Sequence, residues 1–157
     1  MSEVSRRDWF FKEIWDFKEP PPLVADEFFG KAIMICANGD GELTQEEKDW
    51  VLGYFATNGA TESVLNELKA YDANEDIQKM VEPIPDPGIH NAIIYFAIKA
   101  CDADGEISEG EMATVLKLAQ TLDISEAVVH SIKALYQEEK GMRSKRNQIL
   151  FPNGSPF

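Results

Sequence analysis

Two short acidic segments carry the residues of this sequence that are best suited to chemistry. The first is ANGDGELTQEE at residues 37–47, and the second is CDADGEISEGE at residues 101–111. Each contains an Asp-Gly-Glu turn and ends on a glutamate that follows a threonine or serine by three residues. Carboxylate oxygens are preferred ligands of Ca²⁺ and Mg²⁺, and glycine permits the sharp turn that gathers several of them. The segments are therefore candidate divalent-cation sites.

Both segments match most of an EF-hand calcium loop. With Gly41 or Gly105 as the sixth loop position, side-chain oxygens fall at positions three, five and twelve. The first position, which normally holds a ligand, is Cys36 in one loop and Ala100 in the other. Because neither residue offers a hard oxygen, we expect any calcium to bind weakly, with a dissociation constant on the order of 0.1–1 mM or more.

The same glutamates also have a purely structural explanation. TQEE at 44–47 and SEGE at 108–111 have the form of a capping box, in which a hydroxyl and a glutamate satisfy free N–H groups at a helix start. An Asp-Gly pair near a helix N-terminus also suits a turn without any metal. From the residues alone, metal binding and turn architecture both stay open.

An internal repeat relates the two segments. A shift of 64 positions places residues 36–71 on residues 100–135 without a gap. Each block shows one helical pattern that is apolar nearly all round, at 26–37 and 89–100, and two amphipathic patterns. The amphipathic helices are predicted to begin at Thr44, Thr61, Ser108 and Ser125. Strand-like alternation is nowhere sustained, so the pattern predicts an all-α fold with the two apolar helices at its centre.

The proline-rich stretches EPPP at 19–22 and EPIPDPG at 82–88 divide this single predicted domain of residues 1–157. The predicted parts are an aromatic N-terminal segment at 1–22, a first helical repeat at 24–81, a second at 88–139 and a basic C-terminal tail at 140–157. A helix is expected at 8–18, docked on the body. The end of the tail, FPNGSPF, is expected to be disordered or loosely attached.

Charge limits the classes of partner. The net charge is −13, and residues 24–139 alone carry 23 acids against 7 bases, which argues against nucleic acid because that contact requires Lys and Arg. The N-terminus lacks the apolar core of a signal peptide and no segment is long enough to span a membrane, so we expect a cytoplasmic protein without stable membrane insertion. Cys36 and Cys101 lack zinc spacing and are expected to be buried.

Catalysis finds little support in the sequence. His90 and His130 are the two histidines, and neither lies in a recognisable nucleophile or metalloenzyme motif. A glycine-rich phosphate loop is missing as well. The sequence therefore predicts a protein that is not an enzyme and has no catalytic residues.

The doubled motif resembles the TerB family of tellurite-resistance proteins. The resemblance covers residues 24–139, and the second copy, KACDADGEISEGEMATVLKLA, is the closer match; the first has Asn38 and Gly39 where the second has Asp102 and Ala103. It implies a compact bundle of about seven helices, no established enzymatic reaction, a role in tolerance to tellurite and other stresses, and divalent-cation binding by acidic residues. The metal ligands that it implies are Asp40, Glu42, Glu47, Asp102, Asp104, Glu106 and Glu111.

Two hypotheses follow. The first is a cytoplasmic, TerB-like stress protein that binds calcium, magnesium or manganese weakly at its two acidic turns. The alternative is a protein-interaction scaffold, in which the turns are structural and an acidic face or the aromatic N-terminal segment meets a protein partner. A monomer is preferred, because the two halves can bury each other's apolar faces. Direct tellurite chemistry is not expected, since the body repels an anion and the thiols should be inaccessible.

Overall fold

The computed structural model describes residues 5–21, 26–80 and 87–157, and these form α-helices and one short 3-10 helix without any β-strand. The helices are α1 (Arg6–Trp15), α2 (Asp26–Ala37), α3 (Gln45–Thr57), α4 (Glu62–Ala70), α5 (Ile77–Met80), α6 (His90–Cys101), α7 (Glu109–Thr121) and α8 (Glu126–Leu150), with the 3-10 helix at Pro87–Ile89. The all-α prediction is confirmed. The eighth helix, beyond the expected seven or so, is α5, a single turn too short to produce a periodic pattern. That the fold arose as two duplicated blocks stays a prediction.

The two apolar helices α2 and α6 form the centre of the bundle. Residues 32–37 of α2 and 93–98 of α6 are all buried, and the two helices pack most extensively on each other. Helices α3, α4, α5 and α7 surround α2, whereas α3, α7 and α8 contact α6. Since both helices are apolar on nearly every side, a position surrounded by other helices is the one that removes most apolar surface from water.

Four helices begin where the sequence predicts. In each case a side-chain hydroxyl accepts a hydrogen bond from the backbone N–H three residues later and so satisfies one of the free donors of the first turn. These capping residues are Thr44, Thr61, Ser108 and Ser125. The starts of these four helices are therefore encoded locally.

Helix α1 lies on the body of the protein, as expected, but at Arg6–Trp15 instead of 8–18. Ser5 caps its start, and Asp16, in the left-handed conformation with φ of 55°, ends it. Phe11 is buried, and the ring of Trp15 stands edge-on to the rings of Tyr95 and Phe96 on α6, with centroids 5.8 Å apart in both pairs. Aromatic packing of this kind fixes α1 to the bundle.

Helix α8 continues far beyond the expected end of the second repeat. It runs to Leu150, so the predicted boundary between 139 and 140 lies inside a helix whose residues from 140 onward are all exposed. The apolar periodicity ends earlier than the helix does, because this part packs against little and needs no apolar face. Residues 151–157 follow without helix.

Most of the second proline-rich stretch, at 81–86, and Pro22 of the first lie outside the described residues. Among the described helices, none is long and apolar enough to cross a membrane.

Candidate acidic site at the two turns

The two acidic turns share one local geometry. After α2, the side chain of Asp40 accepts a hydrogen bond of 3.0 Å from the backbone N–H of Glu42, and after α6 the side chain of Asp104 accepts one of 3.1 Å from that of Glu106. This is the Asx turn, in which aspartate bonds to the backbone two residues on. Each aspartate is therefore part of its own turn.

Glycine completes both turns. Gly41 and Gly105 have φ of 88° and 99°, a conformation that other residues rarely adopt, and a Cβ at either position would meet nothing within 4 Å. Backbone conformation, not space, explains these two glycines.

Both predicted capping boxes are present. Glu47 Oε2 accepts from the backbone N–H of Thr44 at 2.8 Å, and the Thr44 hydroxyl accepts from that of Glu47 at 3.3 Å. Glu111 and Ser108 repeat this reciprocal pair at 2.9 Å and 3.1 Å. Each glutamate thus has a structural role, and each is turned inward at the start of its helix.

The two turns lie side by side, which the sequence left open. A Cβ on Gly39 would lie 2.5 Å from the carbonyl oxygen of Gly110 and 2.7 Å from the Cα of Glu111. A Cβ on Gly110 would lie 2.6 Å from the carbonyl oxygen of Gly39 and 2.9 Å from the Cα of Asp40. The first turn therefore rests on the start of α7 through a backbone contact that only glycine allows. These two glycines were the signal that sequence reasoning missed.

This contact brings together Glu47 and Glu111, which we call the carboxylate pair. Glu47 is 0% exposed and Glu111 is 2% exposed. The two carboxyl groups are close enough for each to affect the pKa of the other. Among the described residues, Glu47 Oε1 is buried without a hydrogen-bond partner. Burial of uncompensated negative charge is costly, so a proton or a cation at this pair would be stabilising.

Burial and like charge raise both pKa values of the carboxylate pair. For Glu111, burial, then the charges of Glu47 and Asp40, raise the pKa from 4.5 to about 7, against the opposing effect of the Ser108 N–H. For Glu47, burial again raises the pKa most, the Thr44 hydrogen bonds lower it, and the charge of Asp104 raises it further. At neutral pH the pair is therefore poised between holding and releasing a proton.

The third loop position, a predicted ligand in the second copy, anchors each turn to the body instead. Asp102 Oδ2 accepts hydrogen bonds of 2.6 Å from the Tyr136 hydroxyl and 2.6 Å from the Lys140 ammonium, both on α8. The corresponding Asn38 donates to the carbonyl oxygen of Ala73 at 3.2 Å. Lys140 was not foreseen as a partner, because a contact 38 residues away leaves no local signal.

The seven predicted ligands thus fall into different environments. Glu47 and Glu111 are paired and buried, and the charges of Asp40 and Asp104 raise the pKa values of this pair. Glu42 and Glu106 are exposed. Asp102 forms an ion pair with Lys140. Within residues 5–21, 26–80 and 87–157, no three His, Cys, Asp or Glu side chains are close enough together to hold a metal ion. The geometry alone is therefore that of a coupled acid pair with further carboxylates around it.

These features define a class of protein: an all-helical bundle in which two capped acidic turns meet at a buried pair of glutamates. No protein-family model matches the chain. No curated protein matches it. Among solved structures, a crystal structure of a tellurite resistance protein from Nostoc punctiforme is similar, with a TM-score of 0.82 and 33% sequence identity over 96% of this chain and 95% of that chain. The chain belongs to the TerB-like family of tellurite-resistance proteins.

The glycine contact gives a first prediction. Gly39→Ala should destabilise the protein by about 2 kcal/mol or more, because its methyl group would collide with the backbone of Gly110 and Glu111. Gly53→Ala, in the middle of α3 where a methyl group meets nothing within 4 Å, should stabilise by up to about 1 kcal/mol. Urea unfolding measures both. A Gly39→Ala protein as stable as the parent would show that the turns do not touch.

The carboxylate pair gives a second prediction, for metal-free protein. Since Glu111 has a pKa of about 7 in the folded state and 4.5 without the fold, its contribution to stability is full below pH 4.5 and is lost as the pH rises through 7. The free energy of unfolding should therefore fall between about pH 5 and about pH 8, and Glu111→Gln should reduce this fall. The control is Glu109→Gln, an exposed position in the same helical turn. Equal pH profiles for the parent and Glu111→Gln would rule out the pairing.

Proposed function

We propose that this protein is a non-enzymatic component of a cytoplasmic response to tellurite or related stress, and that it binds one divalent cation weakly at its carboxylate pair. The tellurite link rests on the name of the similar Nostoc punctiforme protein, with which it shares 33% identity along nearly the whole chain. The proposal of a bound cation is based on the residues of the two acidic turns.

The observation that carries the proposal is the unpartnered oxygen of Glu47. Glu47 Oε1 is buried without a donor among the described residues, and Glu111, a second buried carboxylate, lies beside it. Capping boxes explain one oxygen of each glutamate but not this one. A divalent cation would neutralise both charges and supply the missing partner.

The donor set favours a partly hydrated cation. Calcium takes six to eight oxygens, whereas magnesium usually keeps several waters and binds through one or two carboxylates. Two buried glutamates, with Asp40 and Asp104 near enough to influence their pKa values, fit the second description better. Asp102 already forms an ion pair with Lys140, so it adds little negative charge to the site. We therefore expect weak binding of magnesium or manganese.

Direct chemistry on tellurite is not part of the proposal. Cys36 and Cys101 are both 0% exposed, and burial raises the pKa of each thiol far above its usual range. A buried neutral thiol is a poor nucleophile and reductant. The net charge of −13 also disfavours capture of an oxyanion. A role in tolerance would therefore be exerted through the cation or through a protein partner.

Manganese titration tests the proposed site. Glu47→Gln should weaken Mn²⁺ binding by about tenfold or more, because the amide keeps the bond to the Thr44 N–H but loses the charge that a cation needs. The matched control is Glu46→Gln, which removes the same charge from the neighbouring exposed position and should change affinity less than about twofold. Calorimetry on metal-free protein at neutral pH provides the affinities.

Two further outcomes decide between the hypotheses. A dissociation constant on the order of 0.1–1 mM or weaker for the parent agrees with the incomplete donor set. Equal Mn²⁺ affinities for Glu47→Gln, Glu46→Gln and the parent would refute the carboxylate pair as a cation site. The acidic turns would then be structural, and the interaction-scaffold hypothesis would take precedence.

A further inference from the structure

A second candidate site is an open groove that shares no residue with the acidic turns. It has a volume of about 960 Å³ and is lined by α1, α3, α6 and the exposed half of α8. This volume is in the range of small-molecule sites. Six aromatic side chains line it, namely Phe10, Trp15, Trp50, Tyr54, Tyr95 and Phe96.

The aromatic rings hold one another in place. Trp50 and Tyr54 are stacked with centroids 5.5 Å apart and an angle of 5°, and Tyr54 lies 4.6 Å from Phe96. Trp15 closes one side by edge-on contacts with Tyr95 and Phe96. Ring walls fixed in this way can accept another planar ring without rearrangement, since aromatic pairs gain from offset stacking and edge contacts.

Three cations also line the groove, although the protein as a whole is strongly acidic. They are Lys99, Arg143 and Arg146, and none of them forms an ion pair within the part of the chain that the structure describes. Lys99 is half-buried with its Nζ 5.3 Å from the centroid of the Tyr95 ring. Burial and then the charge of Arg143 lower the pKa of Lys99, whereas the charge of Glu139 raises it, so Lys99 is repelled by Arg143 and attracted by Glu139.

The two acids of the groove accept hydrogen bonds from neutral side chains, although Glu139 also attracts Lys99 electrostatically. Asp49 accepts a hydrogen bond of 2.7 Å from the side chain of Gln45, and Glu139 accepts one of 2.7 Å from the Tyr95 hydroxyl. In addition, the indole N–H of Trp15 is buried without a partner among the described residues. Because that nitrogen is buried, what the groove offers a ligand is positive charge that no ion pair within the described residues engages.

We propose that this groove binds a small amphipathic anion, whose planar aromatic body packs on the ring walls and whose carboxylate, sulfonate or phosphate group lies between Lys99 and Arg143. An anion there would relieve the repulsion between the two cations, and the rings would remove its apolar body from water. The site is independent of the cation site and of the role in tellurite tolerance.

Two fluorescent probes test the proposal. Anilinonaphthalene sulfonate carries an aromatic body with a sulfonate, and phenylnaphthylamine is its uncharged counterpart. Both should bind the parent, one probe per chain. The double variant Lys99→Gln/Arg143→Gln should weaken the sulfonate probe by about tenfold or more and the neutral probe by less than about twofold.

The matched control is Lys133→Gln/Lys145→Gln, which removes two positive charges from α8 outside the groove. It should leave the affinity for the sulfonate probe within about twofold of the parent. Decanoate, an anion without rings, should displace the probe less well than indole carboxylate does. The proposal would be overturned if both double variants lost the same affinity for the sulfonate probe. It would also be overturned if decanoate and indole carboxylate displaced the probe equally well.

Discussion

The contact between the two acidic turns determines the environment of both buried glutamates. Gly39 and Gly110 allow the backbones to meet, and the price is that Glu47 and Glu111 are buried together. Two ionised carboxylates in such a place are unfavourable, so a proton or a cation would stabilise the pair. Neither turn could reach this state alone, because each supplies one carboxyl group and one of the glycines.

The surrounding architecture serves this contact. Both turns leave the C-terminal ends of the central helices α2 and α6, and both lead into capped helices whose third residue is the buried glutamate. A second anchor ties each turn to the bundle, through Asn38 to Ala73 and through Asp102 to α8. The fold therefore holds in place two loops, which are usually the more mobile parts of a protein.

Local features were predictable from sequence, and distant contacts were not. Helix α2 lies where its apolar run predicts, and Thr44 and Ser108 cap their helices as the motif requires. Helix α5 and the long end of α8 were missed because neither produces an apolar repeat. The contact between the turns could not be predicted, since it depends on packing between helices that are distant in the chain. A glycine in the sequence is consistent with a close contact but does not identify the contacting residue.

A double-mutant cycle shows whether Glu47 and Glu111 act as one unit. The free energies of unfolding of the parent, Glu47→Gln, Glu111→Gln and the double variant would be measured without metal at about pH 8. Each single substitution should relieve the repulsion and raise the free energy of unfolding. The double variant should therefore gain less stability than the two single variants gain together, with a coupling energy of at least about 0.5 kcal/mol. Effects that add within about 0.3 kcal/mol would show that the two carboxyl groups do not interact and would contradict this account.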